Sequence, residues 1–307
     1  MVVKPAEQTP LSALAVANLL NEAGVPAGVC NVVPTSDPRD TVAALLDDPR
    51  LRKLSFTGST ETGRLLLARA SSHLLRTSME LGGNAPFLVL PDADVDAAVS
   101  GAMVAKMRNM GESCVAANRF LVHESVREQF TAALTSRMAG LRVGPGIDPS
   151  SDVGPIIDAV QRGRIASLVD DARTRGAGVT LGGVAPDGPG FFYLPTVLVD
   201  TPAEAAINRE EIFGPVASIR YFADTDEMFS VANDTDYGLV AYVYTRDIST
   251  ALSAIELLDY GMVGINRGLV SDAAAPFGGV KHSGLGREGG REGIDEYLSL
   301  TYVAVEV

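Results

Sequence analysis

The first ninety residues alternate between helical and extended patterns, and that alternation restricts the chain to a fold built on parallel βαβ units. Thr9-Pro10 reads as a helix start, with a capping hydroxyl and a proline at the first helical position; Leu11, Leu14, Ala15, Asn18 and Leu19 follow up to a stop at Gly24. Val29 to Val33 reads as a strand, Thr41 to Leu46 as a helix, Lys53 to Phe56 as a strand and Thr60 to Ala70 as a helix. The strand Pro86 to Leu90 leads through Asp92-Ala93-Asp94 into a helix over Val95 to Arg108, which delivers the chain to Cys114.

A second mixed region follows. Helices are expected over Glu124 to Met138, Ala159 to Arg175, Asp226 to Asn233 and Ser249 to Leu258, with strands at Val179 to Leu181, Val216 to Tyr221, Ala241 to Tyr244 and Val263 to Asn266. In the tail, Leu298, Leu300, Tyr302 and Ala304 alternate with Ser299, Thr301 and Val303, so a terminal strand is expected that needs a partner in this chain or another subunit. At 307 residues the chain is long for one core, and two domains are the expectation.

Composition excludes several classes. A net charge of −13 argues against a nucleic-acid or anionic-membrane surface, no apolar run has the length of a membrane span, and the first residues lack the parts of a signal peptide. The cytoplasm is the expected location. Two cysteines are too few for a disulfide framework, and three histidines without metal spacing argue against a metal site. Cys30, in Gly28-Val29-Cys30-Asn31-Val32-Val33, reads as core packing in a buried strand.

Cys114 has a different neighbourhood. It closes the run Gly111-Glu112-Ser113-Cys114, downstream of Glu80-Leu81-Gly82-Gly83. A thiolate can attack a carbonyl carbon, and a carboxylate near it can activate the water that later breaks the covalent intermediate. By itself Glu80 reads equally as a buried base or a polar strand end. Phe56-Thr57-Gly58-Ser59-Thr60, at a strand-to-helix junction, reads as a phosphate site or an ordinary capped turn. Glu210-Glu211-Ile212-Phe213-Gly214, and Lys4 with Glu7, carry charges that read as functional or as solvated. Gly284-Leu285-Gly286-Arg287-Glu288-Gly289 matches the dinucleotide fingerprint formally, but it follows a loop near the end of the chain, where the fingerprint has no mechanical meaning.

Taken in order, these runs resemble the aldehyde dehydrogenase superfamily along the whole chain. The similarity is greatest to members that oxidise succinate semialdehyde, through Glu80 to Phe87, Cys114 to Arg119, Gly261 to Asn266, Ala275 to Glu288 and Asp295-Glu296-Tyr297. The resemblance implies an α/β fold: a partial Rossmann-type cofactor domain at residues 1–82, an α/β catalytic domain at 83–282, a return segment to the cofactor domain at 283–298, and an oligomerisation strand at 299–307. It implies that Cys114 attacks the aldehyde, that a thioester forms, and that Glu80 activates water. Lys4 and Glu7 would serve the adenosine ribose, Gly58 and Ser59 the pyrophosphate, and Glu211 and Phe213 the nicotinamide ribose. Glu7 favours NAD, because a carboxylate accepts from both ribose hydroxyls and repels a 2′-phosphate; NADP is the alternative. Arg108 and Ser271 match positions that bind the carboxylate of a small carboxylated aldehyde, a task suited to a guanidinium. Arg108 also reads as a helix-end cation.

The sequence departs from the family in three places. The family's N-terminal region, with a Pro-Trp-Asn segment whose asparagine helps hold the oxyanion, has no counterpart in a chain without tryptophan. The expectation is a self-associating chain or one completed by a missing N-terminal half, inactive alone; the alternatives are a dehydrogenase for another aldehyde and a catalytically silent subunit. Glu112 replaces a glutamine before the nucleophile, and its charge is expected to raise the Cys114 pKa. Ala116 takes the place of a second cysteine found in some succinate-semialdehyde enzymes.

Overall fold

The computed structural model describes residues 1–307. They divide into a smaller compact unit, residues 1–54 with 65–76, and a larger one, residues 55–64 with 77–307.

The smaller unit begins with strand β1 (Val2–Val3), helix α1 (Pro10–Glu22), strand β2 (Asn31–Val32) and helix α2 (Pro38–Leu46), and β1 pairs with β2 in parallel. Pro10 opens α1 as the sequence predicts, but the Thr9 hydroxyl makes no capping bond. The stop at Gly24 has a clear cause. Gly24 takes a left-handed φ of 88°, and the N–H groups of Gly24 and Val25 close back on the carbonyls of Asn21 and Leu20. Cys30 departs from expectation: the strand is two residues long, Val29 is exposed and the thiol is only half-buried, because β1 and β2 alone offer it no apolar layer on both sides.

Next come β3 (Lys53–Thr57), α3 (Thr60–Ala70), β4 (Arg76–Glu80), β5 (Ala85–Val89), α4 (Val95–Met107), β6 (Ala117–His123), α5 (Arg127–Ala139) and α6 (Ala159–Thr174). Then follow β7 (Gly178–Leu181), β8 (Thr196–Val199), β9 (Val216–Phe222), α7 (Thr225–Asn233), β10 (Tyr237–Gly238), β11 (Val240–Tyr244), α8 (Ile248–Leu257) and β12 (Met262–Ile265). The short pieces β13 (Val280–Lys281), β14 (Gly284–Leu285) and α9 (Glu292–Asp295) end the series. No helix is long and apolar enough to cross a membrane.

The larger unit is organised on a seven-stranded sheet of order β12-β11-β5-β6-β9-β8-β7, parallel except where β7 meets β8. A central parallel strand is covered on both faces and so reads as an unbroken apolar run, as β5 does. Phe87 and Val89 enter one core layer with α4 and α5, while Leu88 and Leu90 enter the opposite layer beside α7 and α8. On the first side Phe87 lies 5.0 to 6.4 Å, ring centre to ring centre, from Phe120, Phe130, Tyr242 and Tyr244. A smaller three-stranded sheet has the order β14-β4-β3.

Strand β6 escapes the sequence reading because it opens with polar residues. Asn118 and Arg119 are nonetheless buried, and the Arg119 guanidinium donates to the carbonyls of Asn84, Val231 and Ala232 and to the Tyr260 hydroxyl. Such satisfied donors let a cation sit in a sheet that its polarity would argue against. Strand β8 is also missed. Residues 299–307 hold no regular structure in the single chain, where a lone strand has no ladder to join.

Replacing Phe87 with Ala removes the ring on which four aromatic neighbours converge, and should destabilise the fold by about 3–5 kcal/mol. Urea unfolding followed by circular dichroism measures it; a loss under about 1 kcal/mol would show that the layer collapses around the gap.

Candidate active site

Helix α4 ends at Met107, and the chain then turns through Arg108–Gly111 before reaching the thiol. Asn109, Met110 and Gly111 have φ of 52°, 56° and 76°, three successive left-handed residues. Only glycine fits the third, since a Cβ on Gly111 would lie 2.2 Å from the Gly214 carbonyl oxygen. The Asn109 amide donates to the Glu112 carbonyl at 2.6 Å and pins the loop.

Cys114 is half-buried at the end of this turn. Burial pushes its thiol up to about 11, the carboxylates of Glu211 and Glu80 add to the shift, and the N–H groups of Cys114 and Val115 at the sulfur oppose it. Glu112, against expectation, is not among the groups that raise the thiol. Its carboxylate turns to the backbone N–H of Ile157 at 3.2 Å, and the charges that act on the thiol are those of Glu211 and Glu80.

Glu80 ends β4 and is 4% exposed. Its Oε2 has no hydrogen-bond partner in the chain, and burial, with Glu288 adding and Arg287 opposing, pushes the carboxyl up to about 8. The glycine-rich tail makes the surroundings. Gly284 pairs with Glu80 at φ 131°, where a Cβ would strike the Met79 carbonyl, and a Cβ on Gly278 would stand 3.0 Å from Glu80 Oε1. These glycines form a close wrapping of strand β4, and no helix opens on them as a dinucleotide fingerprint requires.

Gly82 and Gly83 join the carboxylates to the thiol. The Gly83 N–H donates to Glu211 Oε1 at 3.1 Å, a Cβ on Gly82 would lie 2.8 Å from Glu211 Oε2, and one on Gly83 would lie 2.6 Å from the Cys114 carbonyl oxygen. Burial pushes the Glu211 carboxyl up to about 7, which the Gly83 hydrogen bond and the charges of Arg164 and Lys106 oppose. Phe213 follows in a left-handed conformation, φ 51°, with its carbonyl accepting from Gln161 Nε2 at 3.0 Å.

Ser59 caps α3, its hydroxyl accepting the Thr62 N–H at 3.2 Å, while the Gly58 N–H donates to the Glu80 carbonyl at 3.0 Å. In the smaller unit, Lys4 Nζ pairs with Glu7 Oε1 at 2.7 Å. Arg108 is exposed and makes no hydrogen bond or ion pair within the chain. Its charge reaches the Tyr242 phenol, whose hydroxyl donates at 2.8 Å to the carbonyl of Val115, next to the thiol. Ser271 is exposed in the loop after β12, beside Val270, which packs against the first core layer. The larger unit thus brings Cys114 and Glu211 together at Gly82-Gly83, two residues after Glu80; Phe213 follows Glu211 in the same loop, and Arg108 acts on Tyr242.

The family model for the aldehyde dehydrogenase family matches residues 1–303. The chain belongs to the aldehyde dehydrogenase family. It is 55% identical over 305 residues to a succinate-semialdehyde dehydrogenase of Paenarthrobacter nicotinovorans, covering 99% of this chain and 68% of that protein. It is 48% identical to an NADP(+) succinate-semialdehyde dehydrogenase of Escherichia coli, covering 99% of this chain and 63% of that one. The solved structure of a succinate-semialdehyde dehydrogenase from Burkholderia pseudomallei superposes with a TM-score of 0.98 at 47% identity, covering all of this chain and 63% of that one. The chain therefore spans about two thirds of the length of the relatives it matches.

This aldehyde dehydrogenase chain has donors and acceptors that fit a dinucleotide. Glu211 takes the Gly83 N–H on Oε1, which leaves Oε2 as an acceptor suited to a ribose hydroxyl. The first N–H groups of α3 have no acceptor within the helix, as a phosphate requires, although Glu61 in the first turn opposes an anion there.

Sequence reading passes over Lys106, Asn118, Gln161 and Tyr242, which hold these loops. Lys106 alone left a signal: it falls in series with Val95, Ala98, Val99, Ala102 and Ala105 on the apolar stripe of α4.

Glu80→Gln tests the buried carboxyl. The folded pKa of about 8 lies above the ordinary 4.5, so stability is full below pH 4.5 and is lost as pH rises to about 8. The glutamine variant should match the wild type more nearly at about pH 5, and at about pH 9 should exceed it by on the order of 1–3 kcal/mol. Denaturant titrations at the two pH values decide it; a stability difference independent of pH would mean that Glu80 ionises normally.

Proposed function

We propose that the chain carries the site of an NAD(P)-dependent aldehyde dehydrogenase acting on a small carboxylated aldehyde, succinate semialdehyde first among them. One observation carries the reading: a half-buried thiol, Cys114, lies within electrostatic reach of a buried carboxyl, Glu80, that has an unpartnered oxygen. A carboxyl kept dry and unpaired is suited to take a proton from water that enters beside it.

Cys114 Sγ adds to the aldehyde carbon while its proton passes to a neighbouring base, giving a thiohemiacetal. With the thiol pushed up to about 11, little thiolate exists at neutral pH, so proton removal accompanies the attack. The N–H of Cys114 is assigned to the developing oxyanion. A nicotinamide, when bound, would supply the hydride acceptor; as the hydride leaves the carbon, the hydroxyl of the adduct gives its proton to solvent and a thioester remains. Glu80, as carboxylate, then takes a proton from water; the hydroxide adds to the thioester, and the C–S bond breaks to release the acid and return the thiol.

Roles for the cofactor follow from the family resemblance and the local fit: Lys4 and Glu7 toward the adenosine ribose, Gly58 and Ser59 toward the pyrophosphate, Glu211 and Phe213 toward the nicotinamide ribose. Glu7 favours NAD over NADP by its charge. Arg108, unpaired within the chain, and Ser271 are assigned to the substrate carboxylate.

Glu80→Gln should form one reduced cofactor per thiol in a rapid burst and then stall, with kcat down by about 100-fold or more; Cys114→Ala should show neither burst nor turnover. In the wild type, deacylation should quicken as pH rises through about 8, because the ionised carboxyl is the base. Stopped-flow absorbance separates the phases, and full turnover by Glu80→Gln would remove the assignment. Arg108→Ala should raise KM for succinate semialdehyde by about tenfold or more and leave an uncharged aldehyde of similar length within about twofold. Equal effects on both aldehydes would end the case for carboxylate recognition.

A further inference from the structure

Lys106 is a charged side chain in a place where the fold asks for an apolar one. It is fully buried on the face of α4 that otherwise presents Val95, Ala98, Val99, Ala102 and Ala105 to the core. An ammonium taken out of water costs several kcal/mol unless its protons are hydrogen-bonded, and a methionine of similar length would occupy the same space at no such cost. Its partners therefore matter.

Nζ donates to Asn118 Oδ1 at 3.0 Å and to the Gly214 carbonyl at 3.1 Å. Asn118 Nδ2 reaches the Gly83 carbonyl at 3.5 Å, and the Gly83 N–H donates to Glu211 Oε1. The circuit closes through the chain from Glu211 to Gly214. Two close backbone approaches belong to the same residues: Gly83 on the Cys114 carbonyl and Gly111 on the Gly214 carbonyl. Lys106 and Glu211 also attract each other electrostatically.

We propose that Lys106 is a positioning residue: its two hydrogen bonds hold the Glu211–Gly214 loop against the strand that follows Cys114. The Glu211 carboxylate is thereby kept at the place where, on the function proposed above, it takes the nicotinamide ribose. Gln161 supports the same loop from α6, through the Ile212 and Phe213 carbonyls, and leaves the Gly214 carbonyl to Lys106.

The decisive measurement is amide hydrogen exchange in the cofactor-free protein, comparing wild type with Lys106→Met. Amides of residues 211–214 and 216 should exchange at least about tenfold faster in the variant while those of β5 keep their wild-type rates. Should Lys106→Met fail to fold because Asn118 is left unpaired, Lys106→Met with Asn118→Leu removes both ends of that buried bond and takes its place. Unchanged exchange at residues 211–216, or acceleration spread evenly over the sheet, would overturn the proposal, the latter by showing a role in stability alone. Titration with NAD+ and NADP+ gives the second readout: the dissociation constant of the preferred dinucleotide should rise by about tenfold or more in the variant. A wild type that binds neither dinucleotide would overturn the proposed function and the role toward the cofactor, while the exchange rates still decide whether Lys106 holds the loop.

Discussion

Everything in the site hangs on the close passage of bare backbone at Gly82-Gly83. Two residues without side chains let the Glu211 carboxylate on one side and the Cys114 carbonyl on the other come within contact of one peptide segment. Strand β5 begins immediately afterwards, in the middle of a sheet buried on both faces. The thiol loop, the carboxylate loop and the core are thus referred to one rigid origin, and side-chain groups on rigid elements hold geometry better than groups on free loops.

The electrostatics follow from that crowding. Glu80, Glu211 and Cys114 are acids brought out of water within range of one another, and each is held toward its neutral form. Lys106, a buried cation whose charge acts on Glu211, is itself pushed down to about 7 by burial, so it compensates only partly. Acids crowded out of water in this way resist ionising together, so a charge on one of them raises the cost of charging the next.

Much of the fold was legible in the sequence, and the reason differs by element. Helix α3 and the centre of β5 announce themselves, one by a capped start and one by an unbroken apolar run. Strand β6 does not, because Asn118 and Arg119 are made tolerable only by carbonyl partners far away in sequence. Within the site, Cys114 and Glu80 were legible as chemistry-bearing residue types in a recognisable order. The wrapping of Glu80 by Gly278 and Gly284 was not, since a glycine's purpose depends on what approaches it. Arg108 was legible as a cation, while its effect on the Tyr242 phenol depends on where the pairing of β11 with β5 puts that ring.

The upward shift of the Cys114 thiol also bears on how the protein survives between turnovers. Peroxide and disulfide reagents consume thiolate, and a sulfur kept protonated by burial, with Glu211 and Glu80 adding to the effect, offers them little of it. Burial of the sulfur, with the acids around it, thus protects it from oxidative damage in the resting state, and on the proposed function the same shift means that the thiol must lose its proton anew for each aldehyde.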